Sequence, residues 1–219
     1  MSREERYSRQ KELVPEEFQR KRVMIVGVGA GGRATALQLA TMGLQHGVLI
    51  DFDIVEEPNL GSQGYPPSSL GKGKVGVMYH EIASLGLHWE TRNRHFNARQ
   101  DIPRTEVLFS CVDSMKVRAE MFHAFTRLEN EIFIDSRVRG DTIRILTAYN
   151  EATRAHYEST LYTDDEAYVG ACTNPMTFYA ANVAAGLRIA AYVQYLRGML
   201  PPAEVLVNLL AWEMQVERK

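Results

Sequence analysis

The chain has 219 residues, 45% of them hydrophobic, with 25 lysines and arginines against 27 aspartates and glutamates. A net charge of −2 with scattered arginines offers no basic surface for nucleic acid and no polybasic face for a membrane. No apolar run approaches the ~18 residues that would span a bilayer, the opening Met1-Ser2-Arg3-Glu4-Glu5 is not a secretory leader, and the expected compartment is the cytoplasm.

The expected organisation is one domain over residues 1–219. A short helical arm, residues 1–20 with its helix over 4–20, leads to Gln19-Arg20-Lys21-Arg22, a solvated approach to a first strand at 22–27. There the apolar run Val23-Met24-Ile25-Val26 breaks into Gly27-Val28-Gly29-Ala30-Gly31-Gly32, a G-x-G-x-x-G pattern, and a helix over 31–42 follows. Gly27 permits the tight strand-to-helix turn, Gly29 lets a ligand phosphate approach the backbone, and Gly32 lets the helix pack closely on the strand. The free N–H groups at the helix start favour an anion. A second strand over 47–51 ends at Asp51, nineteen residues past Gly32, where a carboxylate can accept hydrogen bonds from a ribose. Together these features predict a nucleotide site, with a dinucleotide as the default occupant.

Residues 52–72 hold Pro58, Gly61, Gly64, Pro66, Pro67 and Gly71 and read as a long nucleotide loop, more often functional than idle at such length. The loop runs into Leu70-Gly71-Lys72-Gly73-Lys74. A dehydrogenase needs no lysine-bearing glycine loop there, whereas nucleotidyl transfer needs fixed cations or Mg²⁺ to neutralise departing pyrophosphate. A helix over 73–86, a strand near 90–97 and a strand over 106–111 come next, and the latter leads into Val112-Asp113-Ser114. Val117, Met121, Phe125 and Leu128 have the spacing of a buried helix face. Strands at 131–135 and 142–146 follow, the second alternating polar and apolar residues as an antiparallel addition would. The expected fold class is therefore α/β, a Rossmann-like doubly wound, mostly parallel sheet with antiparallel additions in the C-terminal half.

From Asn150 to Thr173 the chain is polar and reads as a surface loop, most acidic at Thr163-Asp164-Asp165-Glu166. Asn174 and Pro175 suit the N-cap and first position of a helix running to about 197. Its Ala181, Ala184, Ala185 and Gly186 allow close packing against the sheet or a partner subunit. Cys172 then lies just outside a helix N-terminus, where the dipole makes a thiol more nucleophilic. Cys111, in a central strand, reads as core. With only these two cysteines a four-cysteine zinc site is impossible, and the histidines at 46, 80, 88, 95, 123 and 156 show no ligand spacing or shared cluster, so no structural zinc is expected.

Taken as an ordered set, the glycine turn, Asp51-Phe52-Asp53-Ile54-Val55, Asn59-Leu60-Gly61-Ser62-Gln63, Gly71-Lys72-Gly73-Lys74 and Cys111-Val112-Asp113 resemble the ubiquitin-activating-enzyme superfamily, in particular its ThiF-like adenylyltransferases. Tyr7-Ser8-Arg9-Gln10 resembles that family's opening motif, and the likeness covers about residues 6–198. The resemblance implies a short form without a zinc site. It implies that Gly27, Gly29 and Gly32 cradle the phosphates of ATP, that Asp51 binds the ribose with Asp53 alongside, and that Asn59 and Lys74 hold the triphosphate. Asp113 would hold Mg²⁺, and Arg9 would reach into the neighbouring subunit of a homodimer as an arginine finger. The segment 150–173 would cross over the active site, with Tyr157, Tyr162 and Tyr168 lining the cover.

The implied reaction is adenylation of the C-terminal carboxylate of a small ubiquitin-like or sulfur-carrier protein with a flexible tail, giving an acyl-adenylate and pyrophosphate. Thioester transfer to Cys172 would be a possible next step. Ser62 stands where the family has a phosphate-contacting arginine, and Ser114 where it has asparagine; Arg9, Arg137 and Arg139 are the candidates to compensate. An NAD(P)-binding oxidoreductase and a non-catalytic nucleotide- or partner-binding relative are the alternatives. Against the first, Asn59 and Lys74 are left unexplained.

Overall fold

The computed structural model describes residues 3–103, 105–128, 130–162 and 176–219. The arm is α1 (Arg3–Arg6) and two 3-10 turns, Ser8–Gln10 and Glu16–Gln19, rather than one helix. Pro15 stands before the second turn with extended backbone, which stops any helix from running through.

Eight strands form one sheet in the order β3-β2-β1-β4-β5-β6-β7-β8. β1 (Arg22–Val26) lies between β2 (His46–Ile50) and β4 (Val107–Ser110), all parallel. β3 (Glu90–Arg92) extends the parallel part at one edge and β5 (Ile132–Arg139) at the other. β6 (Thr142–Ala148), β7 (Glu204–Asn208) and β8 (Glu213–Glu217) then add antiparallel. The expected mixed sheet is thus present.

The central strands are buried on both faces, which is why they read as unbroken apolar runs. Side chains alternate between two core layers. Val23, Ile25, Leu49, Phe109 and Ile134 face one side with Leu39 and Tyr192; Met24, Val26, Ile50, Leu108 and Phe133 face the other with Phe122, Phe125 and Tyr157. α2 (Ala30–Thr41) and α8 (Phe178–Leu196) pack on each other in the first layer, and α6 (Met115–Thr126) and α7 (Glu151–Ser159) cover the second.

Several boundaries differ from expectation. Within 52–72 the chain forms α3 (Glu57–Gln63), opened by Pro58 and a reciprocal Glu56–Asn59 capping box and closed by Gly64 at φ +73°, then a 3-10 turn at Pro67–Ser69. α4 (Lys74–Ser84) starts at Lys74 itself, so that lysine sits in the first turn of a helix, not in a loop. β3 ends at Arg92, ahead of a short α5 (Ala98–Asp101). Leu128 lies beyond the end of α6 and is exposed, so it leaves the buried stripe of Met121 and Phe125. Residues 150–162 are not a surface loop: Asn150 caps α7 by accepting from the Thr153 N–H at 2.8 Å, and Tyr157 is fully buried. Tyr157 is therefore core and cannot line a cover. α8 begins at Phe178 with Thr177 as its cap, three residues later than expected. Residues 163–175, among them Tyr168, Cys172, Asn174 and Pro175, lie outside the described residues.

The β7–β8 hairpin is the largest element not foreseen. Trp212 at its tip has φ 56° and is almost fully exposed. Among the described residues no helix is long and apolar enough to cross a membrane.

Candidate functional site

β1 connects outward to β2 on one side, while β4 lies on its other side, so the strand order reverses between β1 and β4. Open α/β sheets bind ligands in the crevice at the carboxyl ends of the strands at such a switch point. The glycine turn leaves β1 there, and Asp113 follows β4 on the opposite wall.

The turn is fixed by close packing. Gly27 has φ +86°, and a Cβ on it would come 2.5 Å from the Cys111 carbonyl oxygen. At Gly32 a Cβ would lie 1.8 Å from the Gly27 oxygen, so no side chain fits between α2 and β1. Gly29 is different: its Cβ would meet nothing nearer than the Gln63 side chain at 3.9 Å. Gly29 is also the N-cap of α2 with no side-chain cap, which leaves the first N–H groups of the helix available to an anion. Across from it, Gln63 Oε1 is buried without a hydrogen-bond partner. An open cradle facing an orphaned polar atom fits a phosphate-bearing ligand.

Asp51 braces this turn. One carboxylate oxygen accepts from the Val28 N–H at 2.5 Å and the other from the Asp53 N–H at 2.8 Å. Tyr65 donates its hydroxyl to the Val28 carbonyl at 2.7 Å, and burial holds that phenol well above its usual pKa. Arg33 lies over the Tyr65 ring at 5.0 Å and pairs with Glu81 at 2.8 Å. Asp53 in turn holds Lys74 twice: its backbone oxygen accepts from the Lys74 N–H at 2.9 Å and its carboxylate from Nζ at 2.8 Å. Lys74 is only 5% exposed. The links Val28–Asp51–Asp53–Lys74 thus tie the anion turn to a fixed cation.

Asn59 spends its side-chain oxygen on the Glu56 N–H at 2.9 Å, which leaves the amide hydrogens for another acceptor. Ser62 turns back onto the Pro58 carbonyl at 2.7 Å and carries no charge to replace the family arginine. Asp113 is exposed at the end of β4, while Ser114 caps α6 by accepting from the Val117 N–H at 3.3 Å. A single hard carboxylate beside phosphate oxygens suits Mg²⁺, which takes one or two carboxylates and fills its other positions with phosphate and water.

Arg9 stands apart. Gln10 is anchored on the Met42 carbonyl and Arg6 on the Leu85 carbonyl, so the arm lies at the C-terminal ends of α2 and α4. The site is at the N-terminal ends of those helices, and α2 alone is about 18 Å long. Arg9 is exposed and does not serve the site of its own chain. Arg139 is exposed at the end of β5, and Arg137 is held by Asp135 at 3.1 Å and by the Thr160 carbonyl at 2.8 Å.

Beside these lies a buried network that the sequence did not disclose. Asp135, midway along β5 and opposite the last residue of β4, is fully buried and accepts from Arg118, Arg137 and the Tyr157 hydroxyl. The Cys111 thiol, just past β4, contacts the Arg188 guanidinium. A cavity of about 630 Å³ runs between α4 and β3, past Lys72, Gly73 and Asn93, and does not include the glycine turn. His156 does join a cluster, contrary to the reading of scattered histidines: it meets Glu204 at 2.9 Å and Glu217 at 3.9 Å, with Arg144 on Glu204 at 2.6 Å. Burial opposes ionisation of Glu204, but Arg144 and His156 outweigh it and hold its carboxyl below the usual range.

The family model described as the ThiF family matches residues 6–219. A curated relative, ubiquitin-like modifier-activating enzyme 5 of Gallus gallus, is 27% identical over 138 residues, 55% of this chain and 34% of that protein. The match therefore spans about a third of the length of such relatives. A solved structure of PaaA superposes with a TM-score of 0.81 at 19% identity, covering 100% of this chain and 74% of that one. E. coli MccB with ATP superposes at 0.79 and 17% identity, covering 97% and 71%. These likenesses show the same fold.

Because Asp51 satisfies two backbone N–H groups, Asp51→Asn should destabilise the protein without any ligand. The expected loss is about 2 kcal/mol, the scale for hydrogen bonds to a charged acceptor, read as a lower urea midpoint. An unchanged midpoint would show that Asp51 does not brace the turn.

Proposed function

The chain belongs to the ThiF family, and we propose that it uses ATP to adenylate the C-terminal carboxylate of a small ubiquitin-like or sulfur-carrier protein, releasing pyrophosphate. The observation that carries this reading is the buried Lys74, bound to Asp53 and through Asp51 to the glycine turn. A dehydrogenase has no use for a cation fixed there. A reaction that expels pyrophosphate does.

In this account the acceptor's tail enters the crevice between the ends of β1 and β4. Its carboxylate is already ionised at neutral pH, so no general base is required. A carboxylate oxygen bonds to the α-phosphorus while the bond to the bridging oxygen of pyrophosphate breaks. The N–H groups of α2 and the Asn59 amide orient the phosphates. Lys74 stabilises the charge that grows on the leaving group, and Asp51 combines its bracing bonds with a ribose contact. Asp113 would hold Mg²⁺, which neutralises charge on the phosphate oxygens. Catalysis then comes from positioning and charge neutralisation. Cys172 is our proposed acceptor thiol for a following acyl transfer. The proposed setting is the cytoplasm, with one domain per chain and two chains per functional unit.

Lys74→Ala and the more space-filling Lys74→Met should both stay folded by circular dichroism. Both should lose ATP–pyrophosphate exchange with the acceptor present by on the order of 10³-fold. Exchange near the wild-type rate would remove Lys74 from the phosphates. Wild type that binds ATP but shows no exchange with a panel of Gly-Gly-ending carriers would favour the non-catalytic reading suggested by Ser62.

Arg9 lies a helix length from its own site, so any role in the reaction requires a second subunit. Mixing Arg9→Ala protein with Lys74→Ala protein should restore part of the activity, because some heterodimers pair an intact arginine with an intact pocket. No recovery despite demonstrated subunit exchange would exclude Arg9 from the reaction, as would a strictly monomeric protein.

A further inference from the structure

α8 carries one charged residue in nineteen, Arg188, and that residue is fully buried. Its guanidinium donates from Nη2 to the Gly31 carbonyl at 2.9 Å, from Nε to the Ala184 carbonyl at 3.4 Å, and from Nη1 to the Cys111 sulfur. Every one of these partners is formally neutral if Cys111 is a thiol. Cys111 forms no disulfide, and neither carbonyl brings a counter-charge to the guanidinium. Among the described residues no carboxylate pairs with Arg188. Asp135 pairs with Arg118 and Arg137 instead. That carboxylate and its two arginines lie with α6 and Tyr157 on the other face of the sheet, which leaves Arg188 without a counter-charge in its own layer among the described residues.

A buried, unpaired guanidinium costs several kcal/mol in desolvation, and a merely structural clip between α8 and α2 could be made by a neutral side chain. Its location is informative. Gly31 is in the first turn of α2, the same turn whose N–H groups form the anion cradle. Cys111 is two residues ahead of Asp113. A Cβ at Gly31 would come 2.9 Å from Arg188 Nη2, so the guanidinium sits close against this turn. The guanidinium therefore backs both walls of the crevice without reaching the solvent side.

We propose that Arg188 is a positioning residue of the phosphate site, a buried cation whose counter-charge is the polyphosphate bound at the glycine turn. The proposal rests on the nucleotide reading given above. It assigns Arg188 two effects: it locks the start of α2 against the end of β4, and it adds positive potential that scales with the charge of the ligand.

The test compares ligands of different charge. Wild type, Arg188→Met and Arg188→Lys are titrated with ATP and with AMP by calorimetry at fixed ionic strength. The methionine variant should lose about tenfold in ATP affinity but no more than about threefold for AMP, because a Coulombic contribution grows with ligand charge. The lysine variant should recover most of the ATP affinity. Equal losses for the two ligands, no loss, or no recovery with lysine would each reduce Arg188 to a packing residue. If Arg188→Met does not fold, Gly31→Ala is added to fill the vacated space and the titrations are repeated on the double variant. Wild type that binds neither nucleotide would overturn the nucleotide reading and this inference together, whereas wild-type binding with equal losses overturns the inference alone.

Discussion

The carboxylate of Asp51 is the constraint on which the site depends. It stands at the end of β2 yet takes its hydrogen bonds from Val28, beyond the end of β1, and from Asp53, at the start of the nucleotide segment. A turn that presents free N–H groups to a ligand cannot satisfy those groups internally, so its shape must be imposed from outside. Asp51 and the Tyr65 hydroxyl impose it from one side, and the backbone contact between Gly27 and Gly32 imposes it from within. Loss of the aspartate would loosen the anion cradle and also release Asp53, which orients Lys74.

Charge is distributed around that cradle in a consistent way. Lys74 is neutralised in part by a half-exposed Asp53. Behind the cradle Arg188 is buried with no carboxylate partner among the described residues, while Arg118 and Arg137 share Asp135 on the other face of the sheet. A site arranged like this favours a multiply charged anion over a neutral ligand, since the low-dielectric surroundings strengthen each interaction.

The parallel half of the fold was legible because its signals are local. Short apolar runs such as Val107-Leu108-Phe109 suit strands buried on both faces, and the glycine turn dictates strand, turn and helix together. Long-range features were not. Tyr157 sits in a polar stretch, and only the Asn150–Thr153 capping box, visible in hindsight, marks α7 as a helix that could bury it. β8 alternates Glu213-Met214-Gln215-Val216-Glu217, the period of a strand, but lies beyond the motifs that mark the rest of the sheet. Motif position singles out Asn59, Asp51 and Lys74, but their bonds to Glu56, to Val28 and to Asp53 leave no local signal in the sequence. Arg188 left one trace, a lone charge among the alanines of α8, and nothing in the sequence indicates that it meets Gly31.

The ligand at the glycine turn decides between adenylation and hydride transfer, since a dinucleotide would use the same turn and the same Asp51. Thermal unfolding of the wild-type protein with Mg·ATP and, separately, with NAD tests this most directly. Ligand at about a hundred times its dissociation constant adds about 2.7 kcal/mol to stability, enough to raise the midpoint by several degrees in a chain of this size. The account predicts that rise with Mg·ATP and an unchanged midpoint with NAD; stabilisation by NAD alone would contradict it.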